Sequence, residues 1–206
     1  DGRTCTSGVP SNVPNPGALL GYKCTRVPVL ADLNGDGLLD ALVIERDQTP
    51  SGLFTVGIHF YKNVGSLNQA SFELFGEANP FGLPHTFFSH FLRAGLALGD
   101  LDGDGDLDAV VGQGRKIEYY QNIGNQTHPS FILNNQACPF NTGQTMWQIT
   151  SIVLAHLDAD GLLDAVVSVC GDEDCAPNSP LIIFFKNVGT RAGPTFISHD
   201  LASPFS

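Results

Sequence analysis

Nine residues, Asp100-Leu101-Asp102-Gly103-Asp104-Gly105-Asp106-Leu107-Asp108, place five carboxylates on alternating positions. Packed side by side without a counter-charge, they would repel one another. The alternation suits a loop wrapped round one hard cation. Side-chain oxygens come from positions one, three, five and nine, and a backbone carbonyl, that of Asp106, from position seven. Gly105 follows the third ligand, where such a loop turns sharply. The pattern occurs twice more. The first copy offers Asp32, Asn34, Asp36 and Asp40 with the Leu38 carbonyl, and the third offers His156, Asp158, Asp160 and Asp164 with the Leu162 carbonyl. Calcium is the expected ion, because it takes several oxygen ligands in a flexible cage.

The residues just after each loop decide its setting. An EF-hand loop closes on a bidentate Glu at position twelve, and that position holds Val43, Val111 and Val167. The runs Ala41-Leu42-Val43-Ile44, Ala109-Val110-Val111 and Ala165-Val166-Val167 are short and largely β-branched, which predicts buried strands. The loops are therefore strand-to-strand turns. His156 replaces the first carboxylate of the third copy, and imidazole is a poorer calcium ligand than carboxylate. Two strong sites and a weaker third are expected.

Charge supports this placement. Eleven of the 21 acidic residues lie in the three loops, and three divalent cations, six positive charges, would take the net charge from −11 to −5. With only 10 Lys and Arg, no basic patch is available to meet phosphate, which argues against nucleic acid or an anionic membrane as partner. No apolar run approaches the ~20 residues of a membrane span. Glycine, proline and phenylalanine number 23, 13 and 14, a balance suited to many short strands joined by tight turns.

The chain repeats at larger scale. Residues 1–14 form a Ser/Pro/Asn-rich arm. The repeats span 15–79, 80–138 and 139–206, the later two opening on Pro80-Phe81 and Pro139-Phe140. Each runs through the same stations: an apolar lead-in, the acidic loop, the Ala-Val-Val strand, and an aromatic strand ending in Asn-x-Gly. These endings are Asn63-Val64-Gly65, Asn122-Ile123-Gly124 and Asn187-Val188-Gly189, where positive-φ residues are expected to reverse the chain. A last short strand is centred on Phe72, Phe131 or Phe196, expected as core between neighbouring units. The prediction is an all-β fold of three four-stranded antiparallel propeller-type blades. Three are too few to close a propeller, and the two exposed edges are templates for pairing: either partner chains complete the structure, or the chain is part of a longer protein, or the blades stack without closing.

These loops, strands and turns resemble the FG-GAP/VCBS repeat family, the calcium-loop blades of integrin α-subunit propellers and many secreted proteins. The resemblance covers the chain from about residue 15. It implies a calcium-stabilised extracellular module, with glycans or extracellular proteins as possible ligands in a lectin or adhesion role. Five cysteines also fit an oxidising compartment. Cys5 with Cys24 and Cys170 with Cys175 are candidate pairs that leave Cys138 over, although spacing does not fix the pairing. Asn125-Gln126-Thr127 is an N-glycosylation sequon just past a turn. No nucleophile elbow, His-Glu-x-x-His or phosphate-cradling loop is present, so the chain is expected to be no enzyme. The expected function is that of a secreted structural module that self-associates through open blade edges into an oligomer or filament.

Overall fold

The computed structural model describes residues 26–48, 54–76, 80–83, 87–88, 94–134, 138–140, 148–170 and 180–199. Its strands are β1 (Arg26–Ala31), β2 (Asp40–Gln48), β3 (Phe54–Asn63), β4 (Phe72–Leu74), β5 (Phe87–Phe88), β6 (Ala94–Gly99), β7 (Asp108–Gln113), β8 (Lys116–Asn122), β9 (Phe131–Leu133), β10 (Gln148–Ala155), β11 (Asp164–Cys170), β12 (Pro180–Asn187) and β13 (Phe196–His199). Three antiparallel meanders result, in the orders β1-β2-β3-β4, β6-β7-β8-β9 and β10-β11-β12-β13. The all-β architecture and the four strands of each repeat are as the sequence predicts. Among the described residues no sheet closes on itself, and the three sheets are incomplete propeller-type blades.

Each acidic loop joins the first strand of its sheet to the second. The pairs Ala31↔Asp40, Gly99↔Asp108 and Ala155↔Asp164 put the ninth loop residue at the start of the second strand, opposite the end of the first. The strand–loop–strand reading therefore holds in all three copies.

The core has two layers. Leu42, Ile44, Ile58 and Phe60 of the first sheet meet Ala94, Leu96, Ala109, Val111, Tyr120 and Phe131 of the second. On the other side of the second sheet, Ala97, Val110 and Tyr119 meet Ile149, Ile152, Ala165, Val167 and Phe185 of the third. Successive strand residues point to opposite faces, so a sheet covered on both faces needs an unbroken apolar run. This is why Ala109, Val110 and Val111 are all fully buried. The phenylalanine expectation holds for Phe131 and Phe196, which lie between sheets, but Phe72 is 45% exposed because no sheet among the described residues covers that face of the first.

The Pro-Phe markers act as wedges. Phe81 packs edge-on against Phe60 with ring centroids 4.9 Å apart, and Leu83 beside it is fully buried. Phe140 stacks on Phe196 at 4.2 Å and meets Phe185 edge-on at 5.8 Å.

One strand adds to the expected set, and one expectation needs correction. Residues 87–88, past the expected repeat boundary, pair with β3 through Thr55↔Phe88 and Val56↔Phe87, making the first sheet five-stranded. β4 covers only Tyr61, Lys62 and Asn63 of the ten-residue β3, and a strand's unpaired edge groups seek partners. The Asn-x-Gly turns do not use positive φ: none of Asn63, Gly65, Asn122, Gly124, Asn187 and Gly189 adopts it. Their glycines are required by close approach. A Cβ on Gly65, Gly124 or Gly189 would lie 2.2, 2.2 or 2.3 Å from a carbonyl oxygen across the turn.

Candidate functional site

The ninth-position aspartates are the most buried part of each loop, and Asp40, Asp108 and Asp164 are all 0% exposed. One oxygen of each accepts the backbone N–H of the asparagine ending the third strand: Asn63 to Asp40 at 2.8 Å, Asn122 to Asp108 at 2.8 Å and Asn187 to Asp164 at 2.9 Å. The other accepts the N–H of the second loop residue, Leu33, Leu101 or Leu157, at 3.1–3.3 Å. These carboxylates bolt the loop to the sheet whether or not a cation is near. Asp108 also accepts a bond from the Tyr119 hydroxyl at 3.1 Å. Burial pushes its carboxyl up to about 6, with nearby Asp102 adding to the rise, and burial also raises that of Asp40.

The asparagines continue the connection. Asn122 is 3% exposed, and its Oδ1 accepts the N–H groups of Gly124 at 2.9 Å and Ser130 at 2.9 Å. Asn63 and Asn187 do the same for Gly65 and Ser71, and for Gly189 and Thr195. Sequence spacing placed these asparagines in turns but did not reveal that they tie loop, third strand and turn together. Their fixed place at the end of the aromatic strand was the available signal.

At the loop tips the three copies diverge. In the second, carboxylate oxygens of Asp100, Asp102 and Asp104 all lie within 4.8 Å of one another, the one such group of three among the described residues. Their backbone bonds are short-range: Asp100 accepts from Gly103 at 2.8 Å, Asp102 from Asp104 at 3.3 Å and Asp104 from Asp106 at 2.8 Å. Gly105 has φ 96°, the sharp turn expected of it. Three clustered hard oxygens fit a divalent cation such as calcium, and Asp100, Asp102 and Asp104 would hold it. In the first loop Asp32 accepts from Gly35 and Gly37 at 2.7 and 2.8 Å, and Asp36 accepts from Leu38 at 2.9 Å. Asn34 there donates to Asp40 at 2.9 Å.

The third loop differs most. His156 Nδ1 donates to the Leu162 carbonyl at 2.8 Å, the carbonyl expected to face a metal. Lys186 Nζ donates to Asp158 and lies 3.5 Å from Asp160. That ammonium holds the Asp158 carboxyl below its ordinary range. Lys62 stands at the same station in the first sheet, 3.9 Å from Asp36, and Gln121 in the second, 2.8 Å from Asp102. No motif in the sequence singles out this third-strand residue, and its role emerges only from the fold.

The loops also touch the next sheet. A Cβ on Gly35, at the fourth position of the first loop, would lie 2.2 Å from Thr127 of the second sheet's turn, and one on Gly103 would lie 2.7 Å from the Arg191 carbonyl of the third's. Both glycines have positive φ, while Ala159, their counterpart in the third loop, does not.

Asn125 of the sequon is exposed, and its Oδ1 accepts from Thr127 and His128. Cys170 is disulfide-bonded, whereas Cys138 is a half-buried free thiol whose ionisation burial pushes up. Cys5, Cys24 and Cys175, with the arm over 1–14, lie outside the described residues. No helix among the described residues is long and apolar enough to cross a membrane.

Compared with curated proteins and with solved structures, the chain has no significant match. The FG-GAP-like repeat model matches residues 32–111 and 100–167, together well over half of the chain. Each match begins at the first residue of one acidic loop and ends at position twelve counted from the start of the next, so it takes in the later strands of one sheet and the first strand, loop and second-strand start of the next. On that correspondence, the chain belongs to the FG-GAP-like repeat family.

Proposed function

We propose that this chain is an extracellular, calcium-stabilised β-propeller-repeat module that self-associates as an oligomer or filament subunit and carries no catalysis. The outward face of the third sheet carries this reading. Val153, Ile182 and Ile197 are 53%, 49% and 50% exposed there. Val166 shares that face, paired with Val153 on one side and with Phe184 on the other. In the second sheet the stations matching Val153, Val166, Ile182 and Phe184 are Ala97, Val110, Ile117 and Tyr119, and the third sheet covers them, whereas Ile132, which matches Ile197, is 45% exposed. The repeat therefore presents at its end a face that elsewhere in the same chain is packed against another sheet. Contiguous apolar surface of this kind marks an interaction site.

Calcium supports the reading through the fit of Asp100, Asp102 and Asp104. The disulfide at Cys170 and the exposed sequon at Asn125 support an oxidising, extracellular setting. Ala159 bears on the form of assembly. It stands where Gly35 and Gly103 admit the next sheet's turn, so a partner on the third sheet sits differently from the internal neighbours.

Light scattering after size-exclusion chromatography tests the proposal at about 1 mM calcium, the range of extracellular modules. The expected mass is a multiple of 21.9 kDa, reduced to one chain by the double substitution Ile182→Glu and Ile197→Glu. A wild-type protein that stays at 21.9 kDa at tens of micromolar overturns self-association.

A further inference from the structure

We propose that the Lys186 ammonium holds the third loop in place of a metal ion, and that the residue preceding the buried asparagine on each third strand sets which loop takes calcium. The second clause rests on the calcium reading above, and the first does not.

The third loop's donors are all engaged. Asp158 and Asp160, at positions three and five, share Lys186 Nζ. The position-seven carbonyl of Leu162 accepts from His156, the residue at position one. Asp164 at position nine accepts two backbone N–H groups, from Leu157 and Asn187. A divalent cation entering this loop would have to displace an ammonium, or sit beside it against Coulomb repulsion. It would also find an imidazole where the second loop has Asp100. The third loop does not fit the ion.

The second loop has the opposite arrangement. Its counterpart of Lys186 is Gln121, which brings no charge and donates to Asp102 at 2.8 Å. Five carboxylates stand within the nine residues, against three in each of the other loops. Calcium affinity follows ligand charge. The first loop lies between the two, since Lys62 reaches only one carboxylate, Asp36, at 3.9 Å. The order of affinity is second, first, third.

Exchanging the third-strand residues tests this in the intact chain. In EDTA, Lys186→Gln is expected to lower the melting temperature by a small but measurable amount, up to about 2 °C, as for an exposed ion pair. About 1 mM calcium is expected to restore it, and native mass spectrometry to count one more bound calcium than in wild type. Gln121→Lys is expected to weaken calcium binding at the second loop at least tenfold by calorimetry. Asp160→Asn in the wild-type background should leave the calcium count unchanged. If Asp160→Asn removes one calcium, or Lys186→Gln melts like wild type in EDTA, the Lys186 assignment is overturned. If no variant binds calcium, the metal reading and the second clause fall, and the EDTA melts alone decide whether Lys186 clamps the loop.

Discussion

Asp108 and Asn122 show how a loop residue and a strand-end residue become one structural unit. The Asp108 carboxylate takes the Asn122 N–H, and the Asn122 amide oxygen takes the N–H groups of Gly124 and Ser130. A typical hydrogen bond adds about 0.5–1.5 kcal/mol net to stability. Asn122→Ala removes an acceptor serving two N–H groups of an exposed turn, where water replaces part of the loss, so a cost of about 1–3 kcal/mol is expected on urea unfolding. Calcium should not recover it, because neither lost bond involves a tip carboxylate. A variant losing less than 0.5 kcal/mol (about the spread of neutral surface changes) would show that Asn122 is only a turn residue. The aspartates were legible from alternation alone. Their division of labour was not, since spacing cannot separate a ninth-position carboxylate that accepts backbone N–H groups from three earlier ones that face outward. Lys186 was illegible for another reason: it lies 28 residues from Asp158 and meets it only across the folded sheet.

At the scale of the element, the turn closing each third strand is governed by space. Gly124 would bring a Cβ within 2.2 Å of the His128 carbonyl oxygen and 2.8 Å of the Ser130 nitrogen. Gly193, in the equivalent turn of the third sheet, has only Thr190 Oγ1 within reach, at 3.5 Å, and its φ is not positive. Gly124→Ala is therefore expected to destabilise by about 1–3 kcal/mol, the usual range for overpacking, and Gly193→Ala by less than about 0.5 kcal/mol. Paired thermal melts compare the two, and equal losses would sink the argument. The sequence signal Asn-x-Gly located these turns correctly, but glycine carries two meanings, freedom of φ and absence of Cβ, and the sequence does not distinguish them. β5 was illegible because two residues, Phe87–Phe88, carry no periodicity. Only the uncovered edge of β3 gives them a place.

Over the whole molecule, one repeated sequence is used in three environments. Val43, Val111 and Val167 stand at the same station, as do Val110 and Val166. Val111 and Val110 are both fully buried because the middle sheet has a neighbour on each side. Val43 and Val166 are half-buried, each on the face of an end sheet that turns away from the middle one. Fully burying a valine side chain stabilises by about 1.5–3 kcal/mol. Val110→Ala and Val111→Ala are each expected to cost about 2 kcal/mol, and Val43→Ala and Val166→Ala about half that or less. The comparison holds the residue type and the local strand constant and varies only the neighbouring sheet, so it measures how far the three sheets fold as one unit. Urea titrations at matched calcium would give the four values. Equal costs at the two members of each pair would mean that the end faces are covered in solution as fully as the middle sheet. Concentration dependence of the Val166→Ala midpoint would then locate the cover: a midpoint that rises with protein concentration places a second chain there, and one that does not move places the cover within the same chain.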